Sequence, residues 1–97
     1  MNISDFQKLI RDLYYLKDNK RGIKATFIWL VEEVGELANI LKDENLDKDK
    51  ISEELADIYA WTASLANLLE IDLEKALFHK YPNMCKKCKS NPCLCEK

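Results

Sequence analysis

Two stretches, Trp29-Leu30-Val31-Glu32-Glu33-Val34-Gly35-Glu36-Leu37-Ala38 and Glu54-Leu55-Ala56-Asp57-Ile58, decide how this chain is read. Trp29, Glu33, Glu36 and Ile40 follow steps of four, three and four residues, which puts two acids between two large apolar groups on one stripe of a helix. Glu54, Asp57, Trp61, Ser64 and Leu68 repeat the pattern in reverse order. In an antiparallel hairpin turning near Asn45, residues at one level share one residue-number sum. Glu33 with Asp57, Glu36 with Glu54, and Trp29 with Trp61 all satisfy it. A slip of two residues would displace the match by only about 3 Å at roughly 1.5 Å per residue. The spacing therefore predicts a facing cluster of four carboxylates closed at one end by two tryptophans.

Outward from this hairpin the fold class is all-α, with four helices and no strand. A first helix is predicted from a cap at Ser4, with Gln7 completing a capping box, to about Lys17. Its buried stripe is Phe6, Leu9, Ile10, Leu13 and Leu16. Asp18 to Gly22 is read as a polar turn, made locally basic by Lys20, Arg21 and Lys24. These charges are either solvated or contacts for phosphate. The second helix runs from about Lys24 to Lys42, with Phe27, Val31, Val34, Ala38 and Leu41 as its main seam. Asp43 to Lys50 is an exposed connection, and the third helix spans about Lys50 to Leu69. Ile51, Leu55, Ile58, Thr62, Leu65 and Leu69 form its seam, and Ala56, Ala60 and Ala63 a small-residue side open to close helix approach. Asp72 caps a fourth helix, Leu73 to about Lys80, and Pro82 stops it. The second helix is apolar on several sides, more than four short helices of one chain can cover. Assembly into a dimer or larger helical bundle is expected.

Ninety-seven residues with 47% hydrophobic content suit one domain and a tail. Residues 1–82 are read as the helical domain and 83–97 as a cysteine-rich tail. With 15 basic and 17 acidic residues the net charge is −2, which gives no global reason to expect nucleic-acid binding. The longest apolar run, Ala25 to Val31 interrupted only by Thr26, falls far short of the roughly 20 residues of a membrane span, and no signal-peptide apolar region is read at the N-terminus. The expectation is no membrane partner and a cytoplasmic setting.

Four acids gathered in a partly apolar setting repel one another unless some are protonated or a cation joins them. Oxygen donors in this number suit a hard divalent ion such as Mg²⁺, which keeps positions for water and phosphate. The residues four beyond Glu33, Glu36, Glu54 and Asp57 are Leu37, Ile40, Ile58 and Trp61, so no helical ion-pair partner is supplied at that spacing. Two readings stand: a metal site, or helix-surface acids that pair elsewhere.

The paired segments resemble the EExxE…ExxD signature of the MazG-like all-α nucleoside triphosphate pyrophosphohydrolases. The continuation Ile71-Asp-Leu-Glu-Lys-Ala-Leu into Lys80-Tyr81-Pro82 is also similar, so the resemblance covers about residues 22 to 82. It implies helical subunits assembling as homodimers or homotetramers. It also implies Mg²⁺-dependent cleavage of a (d)NTP between the α and β phosphates, giving the monophosphate and pyrophosphate. By position it assigns Glu33, Glu36, Glu54 and Asp57 as metal ligands and Glu32 as the acid that activates water or adds a metal contact. Lys80, Arg21 and Lys24 are candidate phosphate contacts. Trp29 and Trp61 either border the base pocket or belong to a core or interface. House-cleaning of noncanonical nucleotides fits this activity, and phosphoribosyl-ATP pyrophosphohydrolases share the fold and chemistry. The rival reading is a noncatalytic helical interaction protein in which the acidic stripe is structural.

Cys85, Cys88, Cys93 and Cys95 are spaced C-x2-C-x4-C-x-C. Cytosolic thiols stay reduced, and four of them this close suit tetrahedral Zn²⁺, with Lys86, Lys87 and Lys89 offsetting the charge. An iron–sulfur site, two disulfides or free thiols are the alternatives. His79, the sole histidine, is read as a surface residue.

Overall fold

A computed structural model describes residues 1–96. Four helices follow one another: α1, Ile3–Arg21; α2, Ile23–Leu41; α3, Lys48–Leu68; and α4, Leu73–Lys80. No strand occurs among the described residues, and no helix is long and apolar enough to cross a membrane. The centre of the arrangement is α3, which packs against both α2 and α1.

The N-cap of α1 is Asn2, two residues before the cap expected at Ser4. Asn2 Oδ1 accepts from the Asp5 amide (2.8 Å) and Asp5 Oδ2 accepts from the Asn2 amide (3.2 Å), so the capping box is Asn2/Asp5. Gln7 is thereby free for a different task. Its side-chain amide donates to Asn67 Oδ1 (3.0 Å) and to the Ile71 carbonyl (2.8 Å), and its Oε1 accepts from the Leu73 amide (2.9 Å). One glutamine thus ties α1 to the end of α3 and the start of α4.

The polar turn expected at Asp18 to Gly22 is instead helix up to Arg21. Arg21 Nη1 donates to Asp18 Oδ1 at 2.8 Å, one turn apart, which supports the last turn of α1. Only Gly22 breaks the helix. It serves as C-cap of α1 and N-cap of α2, at φ 91 and ψ 168, a backbone region open essentially to glycine alone. At this joint Asp18 and Thr26 are the largest fully buried side chains. The α3 and α4 caps, Asp47 and Asp72, accept backbone N–H groups of their first turns.

Burial corrects the seams. Phe27, Val31, Val34 and Leu41 of the expected α2 seam stay about half exposed, as do Leu13 of α1 and Leu55 of α3, and Leu16 is almost fully exposed. Ile10, Ala63 and Ala66 are the buried apolar residues. Helix α2 turns its acid stripe toward α3 and leaves its richest apolar face outward. The radius of gyration, 15.9 Å, exceeds the roughly 12.5 Å expected of a compact domain of this length.

Candidate active site and metal centres

Glu33 and Glu36 stand one turn apart on α2, and Glu54 reaches them from α3. One carboxylate oxygen from each lies within 4.8 Å of the other two. Glu33 and Glu54 are half-buried, and each has one oxygen, Oε2, that is buried with no hydrogen-bond partner. Burial, then a carboxyl–carboxyl hydrogen bond with Glu54, then the charges of Glu36, Glu54 and Asp57 push the Glu33 carboxyl up from 4.5 to about 7. A proton or a cation relieves this arrangement.

Asp57 lies outside that trio, although its charge acts on Glu33. It lines an adjoining cavity of about 330 Å³, whose walls include Trp29 and Trp61. The expected Trp29–Trp61 level of the hairpin is realised here: the indole rings lie 5.6 Å apart at 34°. The Arg21 guanidinium sits over them, 4.8 Å from the Trp61 centroid and 5.8 Å from that of Trp29. Glu32 is exposed and outside the trio, and Lys24 is exposed and does not line this cavity. Lys80 lines a separate cavity of about 580 Å³ against the tail.

Helix α1 contributes residues that the motif does not mark. Asp18 and Tyr14 line the tryptophan cavity beside Ser64 of α3. The spacing Tyr14, Asp18, Arg21, of four and three residues, is the signal that one helical stripe continues through the segment read as a turn.

In the tail, the four cysteine Sγ atoms all lie within 4.8 Å of one another, and no disulfide joins them. Cys85 and Cys95 Sγ are 3.7 Å apart, and Cys88 and Cys93 Sγ 3.9 Å. Four sulfurs at about 2.3 Å from a tetrahedral ion would be separated by about 3.8 Å. Amides of Leu94 and Cys95 donate to Cys88 and Cys93 Sγ, each at 3.3 Å. The backbone N–H of Leu94 is the main influence holding the Cys88 thiol down at about 6, while hydrogen bonding from Cys93 leads in raising Cys95 to about 11. The turn is closed by Cys85 N–H to the Ser90 carbonyl (2.9 Å), and Lys86 Nζ reaches the His79 carbonyl and Nε2, both at 3.2 Å. The cluster has the geometry to hold a metal ion, at the end of α4.

A family model described as MazG nucleotide pyrophosphohydrolase domain matches residues 21–89, which contain the acid trio, Asp57 and both tryptophans. Comparison with curated proteins gave no match.

Proposed function

Since the chain belongs to the MazG nucleotide pyrophosphohydrolase family, we propose that it is a Mg²⁺-dependent enzyme that cleaves a nucleoside or deoxynucleoside triphosphate to the monophosphate and pyrophosphate. The observation that carries this reading is the convergence of Glu33, Glu36 and Glu54, with buried unpartnered oxygens on Glu33 and Glu54, beside a cavity walled by Trp29 and Trp61. An all-oxygen donor set fits Mg²⁺. Glu33, Glu36 and Glu54 would hold it, with Asp57 from the adjoining wall. When bound, the ion screens phosphate charge and makes a coordinated water more acidic.

The chain's own groups divide the remaining work. Trp29 and Trp61 offer aromatic surface on which a base stacks. Glu32, exposed beside the trio in sequence, is assigned to accepting a proton from the attacking water. Lys17 and Arg21 are the cations that line the cavity; Arg21 is already paired with Asp18 at 2.8 Å and lies over both indoles, so it would reach a phosphate only by leaving that pair. Lys24 and Lys80, which do not line this cavity in their own chain, are assigned to phosphate from across a subunit boundary. That boundary is a homodimer or homotetramer contact built on the outward face of Phe27, Val31 and Val34, all about half exposed. Residues 1–82 form the catalytic part in this scheme and 83–97 a structural Zn²⁺ tail, its four thiolates matching a tetrahedral edge. Reduced thiols suit a cytoplasmic setting, and removal of noncanonical nucleotides suits the reaction.

Incubation with a nucleotide panel and Mg²⁺ tests the assignment. Pyrophosphate release is expected from the wild type and not from Glu36→Gln. Equal rates for both, or none for either, would leave the noncatalytic helical reading in place.

A further inference from the structure

Asp18 is 2% exposed, yet it lines the tryptophan cavity. Its Oδ1 accepts from Arg21, while its Oδ2 is buried with no partner. A buried carboxylate oxygen without a donor is costly to leave unmatched. The motif that defines the metal site does not include it. Its position along the hairpin indicates what would match it. Trp29 lies about 6 Å along α2 from Glu33 and about 10 Å from Glu36, at roughly 1.5 Å per residue. On α3, Ser64 continues one turn past Trp61, away from Glu54, and joins Asp18 in the cavity wall. A nucleotide with its phosphates at the acid trio therefore runs its base along the tryptophans and brings the base edge remote from the sugar toward Asp18. Arg21, itself planar and delocalised, lies over both indoles, so a base that stacks there takes the place of its guanidinium.

We infer that Asp18 is a base-reading residue, accepting an N–H from the amino group at the far edge of the base: the 4-amino group of cytosine or the 6-amino group of adenine. This rests on the pyrophosphohydrolase reading only for where the phosphates sit. In the same pose, uracil or hypoxanthine places a carbonyl oxygen at that position, acceptor against acceptor. A site built around one polar partner rejects the analogue that lacks it.

Both tryptophans of the chain border this cavity, so quenching of intrinsic fluorescence reports binding without catalysis. Cytidine, uridine, adenosine and inosine monophosphates, each in ribo and deoxy form, are titrated with Mg²⁺ present. The amino bases are expected to bind at least about tenfold more tightly than their oxo counterparts. In Asp18→Asn, whose amide can also donate, the ratio should fall toward one while circular dichroism shows the helices retained. Equal affinities in the wild type, or no quenching by any nucleotide, would overturn the inference, whether or not Asp18→Asn folds. Pyrophosphate release without base preference would overturn it and leave the proposed reaction standing.

Discussion

Glu33 on α2 and Glu54 on α3 bring two half-buried carboxylates together across the helix pair, each with an Oε2 that no protein group satisfies. No cation from the chain reaches either acid among the described ion pairs, Lys8–Asp12 and Arg21–Asp18. The pair is a local conflict that a proton settles at low pH. In the proposed enzyme a divalent ion settles it at neutral pH.

That conflict has a pH signature. The Glu33 carboxyl is raised in the fold to about 7, chiefly by burial. Its contribution to stability is then fully present below the unfolded value near 4.5 and is lost as pH rises through about 7. Melting of chelator-treated protein should show this loss, and Mg²⁺ should raise Tm more at pH 8 than at pH 5. An equal Mg²⁺ shift at both would argue against Glu33 as a ligand.

Replacing Glu33 by Gln removes the buried charge and a ligand together. The metal-free protein should melt at or above the wild-type temperature at pH 8, while Mg²⁺ no longer stabilises it and pyrophosphate release falls at least about 100-fold. Thermal melts beside a steady-state assay separate the two effects.

Gly22 joins α1 to α2 with φ 91. Nothing crowds its Cβ position, so Gly22→Ala is opposed by backbone strain alone, about 1–3 kcal/mol. A fall in Tm of roughly 4–20 °C is expected by calorimetry. Because Asp18 and Arg21 precede this joint, the tryptophan cavity should loosen as well.

For the tail, Cys88→Ser should abolish stoichiometric zinc in protein purified without chelator. It should also raise amide exchange in residues 83–96 while α1 to α3 keep their protection. Metal analysis and hydrogen exchange check this together, and retention of one zinc per chain would contradict the four-thiolate site.

Phe27 and Val31 present apolar surface about half exposed on α2. If the proposed assembly uses this face, Phe27→Asp should give a monomer in light scattering behind size exclusion where the wild type gives a larger mass, with little loss of helix. An unchanged mass would place the interface elsewhere.

Helix type and number were legible because periodicity and caps agree at Asp72 and Pro82 and because Trp29 and Trp61 mark one level of the hairpin. The facing of α2 was not. Its apolar seam of Phe27, Val31 and Val34 looks like the core side, and only the tertiary arrangement shows that Glu33 and Trp29 turn toward α3. Such an inversion is natural where a chain keeps its hydrophobic face for another surface, since amphipathicity names two faces without saying which neighbour each one meets. Residues 18–21 read as a turn for a local reason: a run of Asp, Asn, Lys and Arg resembles one, whereas the Asp18–Arg21 pair makes it a helix end. Asp18 was lost to the site with it.

The most direct test of the central claim is pyrophosphate release from a nucleoside triphosphate panel, measured with Mg²⁺, with excess chelator, and in Glu36→Gln. Release that requires Mg²⁺ and disappears in the variant is the predicted result. Release that persists in Glu36→Gln, or none from any nucleotide with the wild type folded and loaded with Mg²⁺, would contradict it.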